Sequence, residues 1–113
     1  MRIVDNDISM TRGDSETITV SCTDIDGLNL PMVTGDTIYF TIKENTRTTT
    51  KILQKVVTSF TDGKAIITLL PTDTKTLQYK QYFYDIQLTR ADGTITTIIR
   101  PNKFTITEEV TYE

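Results

Sequence analysis

The sequence predicts an all-β chain, an antiparallel β-sandwich of about seven strands. Three observations predict it. Threonine supplies 24 of the 113 residues, and its β-branched side chain suits a half-buried pleated surface. Apolar residues recur at every second position in several short stretches, the period of a strand with one dry face. Asp-Gly pairs stand between such stretches at Asp62-Gly63 and Asp92-Gly93, and that pair supplies the positive φ of a tight hairpin.

The elements follow in chain order. Residues 8–11 make a short first strand, ended by Arg12-Gly13-Asp14-Ser15, where glycine and aspartate favour a turn. Residues 16–23 alternate, with Ile18, Val20 and Cys22 inward and Thr17, Thr19, Ser21 and Thr23 outward. Asp24-Ile25-Asp26-Gly27 turns the chain. Residues 28–34 connect, interrupted by Pro31, which cannot donate to a central ladder. Residues 36–43 alternate again, with Ile38, Phe40 and Ile42 inward and Thr37, Tyr39, Thr41 and Lys43 outward. Residues 44–50 form an exposed, threonine-rich excursion. Residues 51–58 are a strand of mixed pattern, because Ile52, Leu53, Val56 and Val57 obey no single period; a bulge or a change of face is expected.

The first Asp-Gly hairpin returns the chain through 65–70. Residues 71–77 then carry a single helical turn, with Thr72 as its expected cap and Leu77 beneath it. Residues 82–90 are the strongest strand, with Tyr82, Tyr84, Ile86 and Leu88 on one face and Phe83, Asp85, Gln87 and Thr89 on the other. The second Asp-Gly hairpin leads into 95–100. Pro101-Asn102 interrupts that strand before Phe104 and Ile106 resume it.

Composition excludes several functions. With no histidine, the chain has neither an imidazole base nor a histidine metal ligand. Cys22 is the one cysteine, so no internal disulfide forms, and its inward position reads as a small buried hydrophobe. A net charge of −3 argues against a nucleic-acid binder. The apolar runs are too short to span a membrane, and the polar start of the chain does not read as a signal peptide. No catalytic residue, cofactor or metal site is expected.

Each short motif has a structural reading. Arg12-Gly13-Asp14 is the tripeptide that integrins recognise, yet it sits in a tight connection, where Gly13 takes an unusual φ and Asp14 caps backbone amides. Asp24 and Asp26 begin like a calcium loop, but Leu28, Asn29 and Leu30 follow where further ligands are needed. Asp85 lies mid-strand beside Phe83 on a wet face, and an interface is the alternative role of that face. Gly13, Asp14, Gly63 and Gly93 are therefore turn residues. Thr17, Thr19, Ser21, Thr23, Phe83 and Asp85 are the candidate interface residues.

The crossing between 70 and 82 resembles the E–F passage of an immunoglobulin-like sandwich, where a tyrosine bonds back to the corner backbone. Tyr82 is the candidate and Tyr79 the alternative. The likeness spans nearly the whole chain. It runs through Arg12-Gly13-Asp14-Ser15, Gly35-Asp36-Thr37-Ile38-Tyr39-Phe40, Thr61-Asp62-Gly63-Lys64-Ala65, Leu70-Pro71-Thr72-Asp73-Thr74, Tyr82-Phe83-Tyr84-Asp85-Ile86 and Ala91-Asp92-Gly93. With these motifs the chain resembles the immunoglobulin-like N-terminal domain of phage baseplate upper proteins, found in phages and prophages of Gram-positive bacteria.

The resemblance implies a non-enzymatic structural or adaptor protein of the virion tail or baseplate, made in the bacterial host cytoplasm. Its implied partners are other tail or baseplate proteins and further copies of itself, with no nucleic acid and no membrane. A module binding a host-surface glycan or protein is the alternative. For association, the expected edges are the first strand, 8–11, and the C-terminal stretch 104–110.

Overall fold

The computed structural model describes residues 1–4, 6–22, 26–28 and 30–108. Among these residues the order is β1 (Arg2–Val4), β2 (Asp7–Thr11), β3 (Glu16–Val20), β4 (Thr37–Lys43), β5 (Leu53–Val57), β6 (Ala65–Leu69), α1 (Pro71–Thr74), β7 (Gln81–Thr89) and β8 (Ile95–Thr107). The strands form two sheets, β1-β2-β8-β7-β4-β5 and β3-β6, packed as a sandwich. β1 is the strand that the periodicity did not show; it folds back antiparallel on β2. No helix among the described residues is long and apolar enough to cross a membrane.

The alternating stretches bury the faces expected of them. Ile38, Phe40 and Ile42 of β4 are fully buried, as are Ala65, Ile67 and Leu69 of β6. They meet Tyr82, Tyr84, Ile86 and Leu88 of β7, with Ile18 and Val20 of β3 on the facing sheet. At the centre, the Phe40 and Tyr84 rings lie 5.4 Å apart, and Phe104 meets both edge-on at 6.1 Å. Such tilted and edge-on contacts suit the aromatic quadrupole. Cys22 is buried on the same inner side.

Three expectations need correction. The mixed pattern of the fourth expected strand is not a bulge, because β5 pairs with β4 in unbroken register from Ile38↔Val57 to Ile42↔Leu53. Lys55 stands opposite the inward Phe40 and carries its ammonium to Asp73 of α1 at 2.7 Å. Val56 faces out and is half exposed. A lysine turned inward on an edge strand discourages pairing with other chains, and that placement scrambled the apolar period.

The cap of α1 also differs. Thr72 is exposed, and the Asp73 carboxylate accepts instead from the Leu70 N–H at 2.7 Å. Thr74, fully buried, accepts from the Gly13 N–H at 2.8 Å.

The edges are the third correction. β2 and the end of β8 pair with each other in parallel, Ile8↔Phe104 through Thr11↔Thr107. The far side of β2 is taken by β1. Residues 8, 9, 104 and 105 are therefore paired on both sides, and residues 109 and 110 of the expected edge lie outside the described residues. Periodicity cannot reveal this, because it reports the face of a strand and not its neighbours.

Tyr82, not Tyr79, closes the corner before β7. Its hydroxyl donates to the Gln78 carbonyl at 3.2 Å and accepts from the Gln78 N–H at 3.1 Å. Tyr82→Phe should lower unfolding free energy by about 0.5–1.5 kcal/mol, the net value of such bonds. Urea denaturation of both proteins checks this, and an unchanged midpoint would show that the corner is held by packing alone.

Candidate functional site

The turn residues come first. Gly13, Gly63 and Gly93 take φ of +83°, +72° and +91°. Asp14 contributes its backbone N–H, donated to Thr11 O at 3.2 Å, rather than the carboxylate cap that was expected. Arg12 is tied down: its guanidinium donates to Leu77 O at 3.3 Å and lies 4.2 Å from the Tyr79 ring centroid. Thr23 and Asp24 lie outside the described residues. Among those described, no three acidic or cysteine side chains gather into a metal cluster.

The candidate interface residues fall on two opposite outer faces rather than one. Thr17, Thr19 and Ser21 are exposed on the outside of the small sheet. Register brings Ile66 opposite Thr19 and Thr68 opposite Thr17, and Ile66 is 43% exposed. The result is an outer face whose strand positions carry no charge. Phe83 and Asp85 belong to the outside of the large sheet.

β3 also borders a slot. Among the described residues β3 pairs only with β6, and β2 covers β8 only from Phe104 onward. The first half of β8 therefore has no strand on the side away from β7. Between it and β3 opens a space of about 440 Å³, lined by Ile18, Val20, Cys22, Ile98 and Ile99, with Tyr84 and Ile86 below. The Tyr84 hydroxyl donates to the Asn6 carbonyl at its end. Burial, with a smaller contribution from the Asp7 charge, pushes that phenol up to about 12, so it stays a neutral donor.

On the opposite side, the outer face of β5, β4, β7 and β8 forms a groove of about 460 Å³. Its centre is the pair Thr41 and Asp85, directly opposed in the β4–β7 ladder. Thr41 is only 9% exposed although it faces outward, and its hydroxyl accepts from the Gln54 amide at 3.1 Å. Tyr39 and Phe83 stand at the two ends, Tyr39 opposite Gln87 and Phe83 opposite Lys43. Register between β7 and β8 shifts from Tyr84↔Asn102 to Ile86↔Ile99, so Asp85 faces a bulge at Arg100 and Pro101. Proline has no N–H to offer a ladder, and a bulge accommodates it.

The Asp85 carboxyl is raised above its ordinary value by partial burial, partly offset by the Lys43 ammonium. Sequence reasoning placed Phe83 and Asp85 on one outward strand face and Tyr39 and Thr41 on another, but nothing in the sequence clusters them, and Gln54 was missed. Only strand register joins them. A scan against protein-family models finds no matching family, and no curated protein matches the chain.

Proposed function

We propose that this chain is a non-enzymatic structural or adaptor subunit of a phage or prophage tail or baseplate, built as an immunoglobulin-like sandwich. It is made in the bacterial host cytoplasm and works in the virion, docking onto other tail proteins or onto copies of itself. The observation that carries the reading is the two-stranded β3–β6 sheet. In a constant-type immunoglobulin sandwich the corresponding central pair is flanked on each side, in the order ABED. Here no described residue fills the flanking positions as a strand: β2 pairs with β8, and β5 pairs with β4.

The Lys55–Asp73 pair and α1 lie on the β6 side, which leaves the β3 edge as the docking edge. An incoming strand would gain main-chain hydrogen bonds there and place alternate side chains in the apolar slot. The uncharged face of Thr17, Thr19, Ile66 and Thr68 would pack at modest desolvation cost. The corner bond of Tyr82 and the motif likeness support the family part of the reading.

Sedimentation velocity on the native protein should reveal self-association, or a stable complex with a co-expressed tail protein. Thr19→Lys and Ile66→Lys together should weaken it at least about tenfold, the equivalent of ~1.4 kcal/mol. A protein that stays monomeric, binds no tail protein and is absent from purified virions would defeat the proposal.

A further inference from the structure

We infer that the groove on the outer face of β4 and β7 is a saccharide-binding site, taking a short β-linked oligosaccharide between Tyr39 and Phe83. Four steps of ~3.4 Å along the strands set the two aromatic residues about 14 Å apart, a span that suits an oligosaccharide rather than a single sugar. A β-linked pyranose chain is extended and ribbon-like, and its rings present C–H faces that pack on the negative face of an aromatic ring. Between the platforms lie the groups that sugar hydroxyls need. Asp85 is an acceptor whose carboxylate makes no hydrogen bond or ion pair to any described residue, while Gln54 is held by its bond to Thr41. Lys43 and Gln87 add further donors to the lining.

Partial burial takes some water from Asp85, which has no hydrogen-bonded partner among the described residues, and a hydroxyl donor would replace it. β4 is paired on both sides, by β5 and β7, and β7 is paired by β4 and β8. The floor of the groove thus offers no open backbone edge, so a ligand lying on it binds through side chains. Binding without cleavage follows from the acid count. Asp85 is the one carboxylate among the described lining residues, whereas glycoside hydrolysis ordinarily requires two.

This inference is independent of the docking edge, which lies on the other side of the sandwich. The test is an array of β-1,4-linked glucose and N-acetylglucosamine oligosaccharides, from disaccharide to pentasaccharide, followed by saturation-transfer NMR with chitotriose. Binding is expected, rising from the disaccharide to longer chains, with saturation on the ring protons. Tyr39→Leu and Phe83→Leu keep apolar bulk but remove the aromatic face, and each should weaken binding at least tenfold. Asp85→Asn should weaken it several-fold with an unchanged melting midpoint. Thr19→Lys, on the opposite face, should leave sugar binding unchanged while disturbing association. The inference is overturned by an array with no binding, or by sugar binding that survives both leucine variants. A tail protein captured through Phe83 in place of any sugar would also overturn it.

Discussion

Asp36→Ala should remove about 3–5 kcal/mol of stability, the range for breaking a buried pair from one side. Asp36 is 2% exposed just ahead of β4. Its Oδ2 accepts from Arg90 Nη1 at 2.7 Å and from the Val33 N–H at 3.0 Å, and its Oδ1 accepts from the Ala91 N–H at 3.3 Å. One carboxylate thus joins the 31–36 connection to the turn between β7 and β8. Alanine strands a guanidinium and two backbone donors together. Arg90 remains about a quarter exposed, so water recovers part of the loss and the lower end of the range is expected.

The same group sets a pH dependence. The Val33 N–H, then the Arg90 hydrogen bond and charge, outweigh burial and hold the Asp36 carboxyl below its ordinary value. A depressed carboxyl contributes stability that is fully present above its unfolded pKa, about 3.9. That contribution is lost as pH falls through the lower, folded value. Urea midpoints taken from pH 7 down into the acid range should fall more steeply for the native chain than for Asp36→Ala. Parallel curves, or an alanine variant of native stability, would refute the account. Arg90→Ala combined with Asp36→Ala should cost less than the sum of the two, because they share the pair.

Gly63→Ala should be the most damaging of the hairpin substitutions. Asp62 and Gly63 both have positive φ, +52° and +72°, and Thr61 and Lys64 exchange two backbone bonds of 2.9 Å. This is the primed turn whose twist matches the strands it joins. A Cβ at Gly63 would lie 2.6 Å from the Pro31 Cβ and 3.1 Å from the Pro31 Cα. The Met32 N–H donates to Gly63 O at 3.0 Å, so Pro31 cannot retreat without breaking that bond. Left-handed backbone adds about 1–2 kcal/mol and overpacking about 1–3 kcal/mol. Gly93, at +91°, has open space around its missing Cβ, so Gly93→Ala should show the backbone contribution alone. Equal losses at the two glycines, measured by thermal unfolding, would rule out the Pro31 contact.

That contact shows where sequence reading stops. Faces were legible wherever one side of a strand is dry, so Ile38-Phe40-Ile42 and Tyr82-Tyr84-Ile86-Leu88 announce themselves by period. Tight turns were legible because their φ demands glycine. Partners across the fold were not: Gly63 against Pro31, Gly13 against Thr74 and Asp36 against Arg90 each join distant segments, and no local pattern encodes them. Lys55 misled for a related reason, since its inward position depends on Asp73 reaching it from α1. The groove was half legible. Phe83 and Asp85 share a face by alternation alone, but Tyr39, Thr41 and Gln54 join them only through the β5–β4–β7 register.

The parallel pairing of β2 with β8 bears on how the molecule comes into being. Ile8 lies beside Phe104, so β2 waits for a strand that is synthesised long after it. Domains of a growing chain generally fold as units. Here β2 has β1 alone for company until β8 is complete, and β8 is also the strand that links it to β7. Closing a loop of nearly the whole chain places this sandwich among slow folders, on the millisecond-to-second scale of non-local β topologies. During that interval Ile8 and Met10, both buried in the finished core, lack Phe104 and Ile106, the residues they stand beside, and such incomplete packing is prone to aggregation.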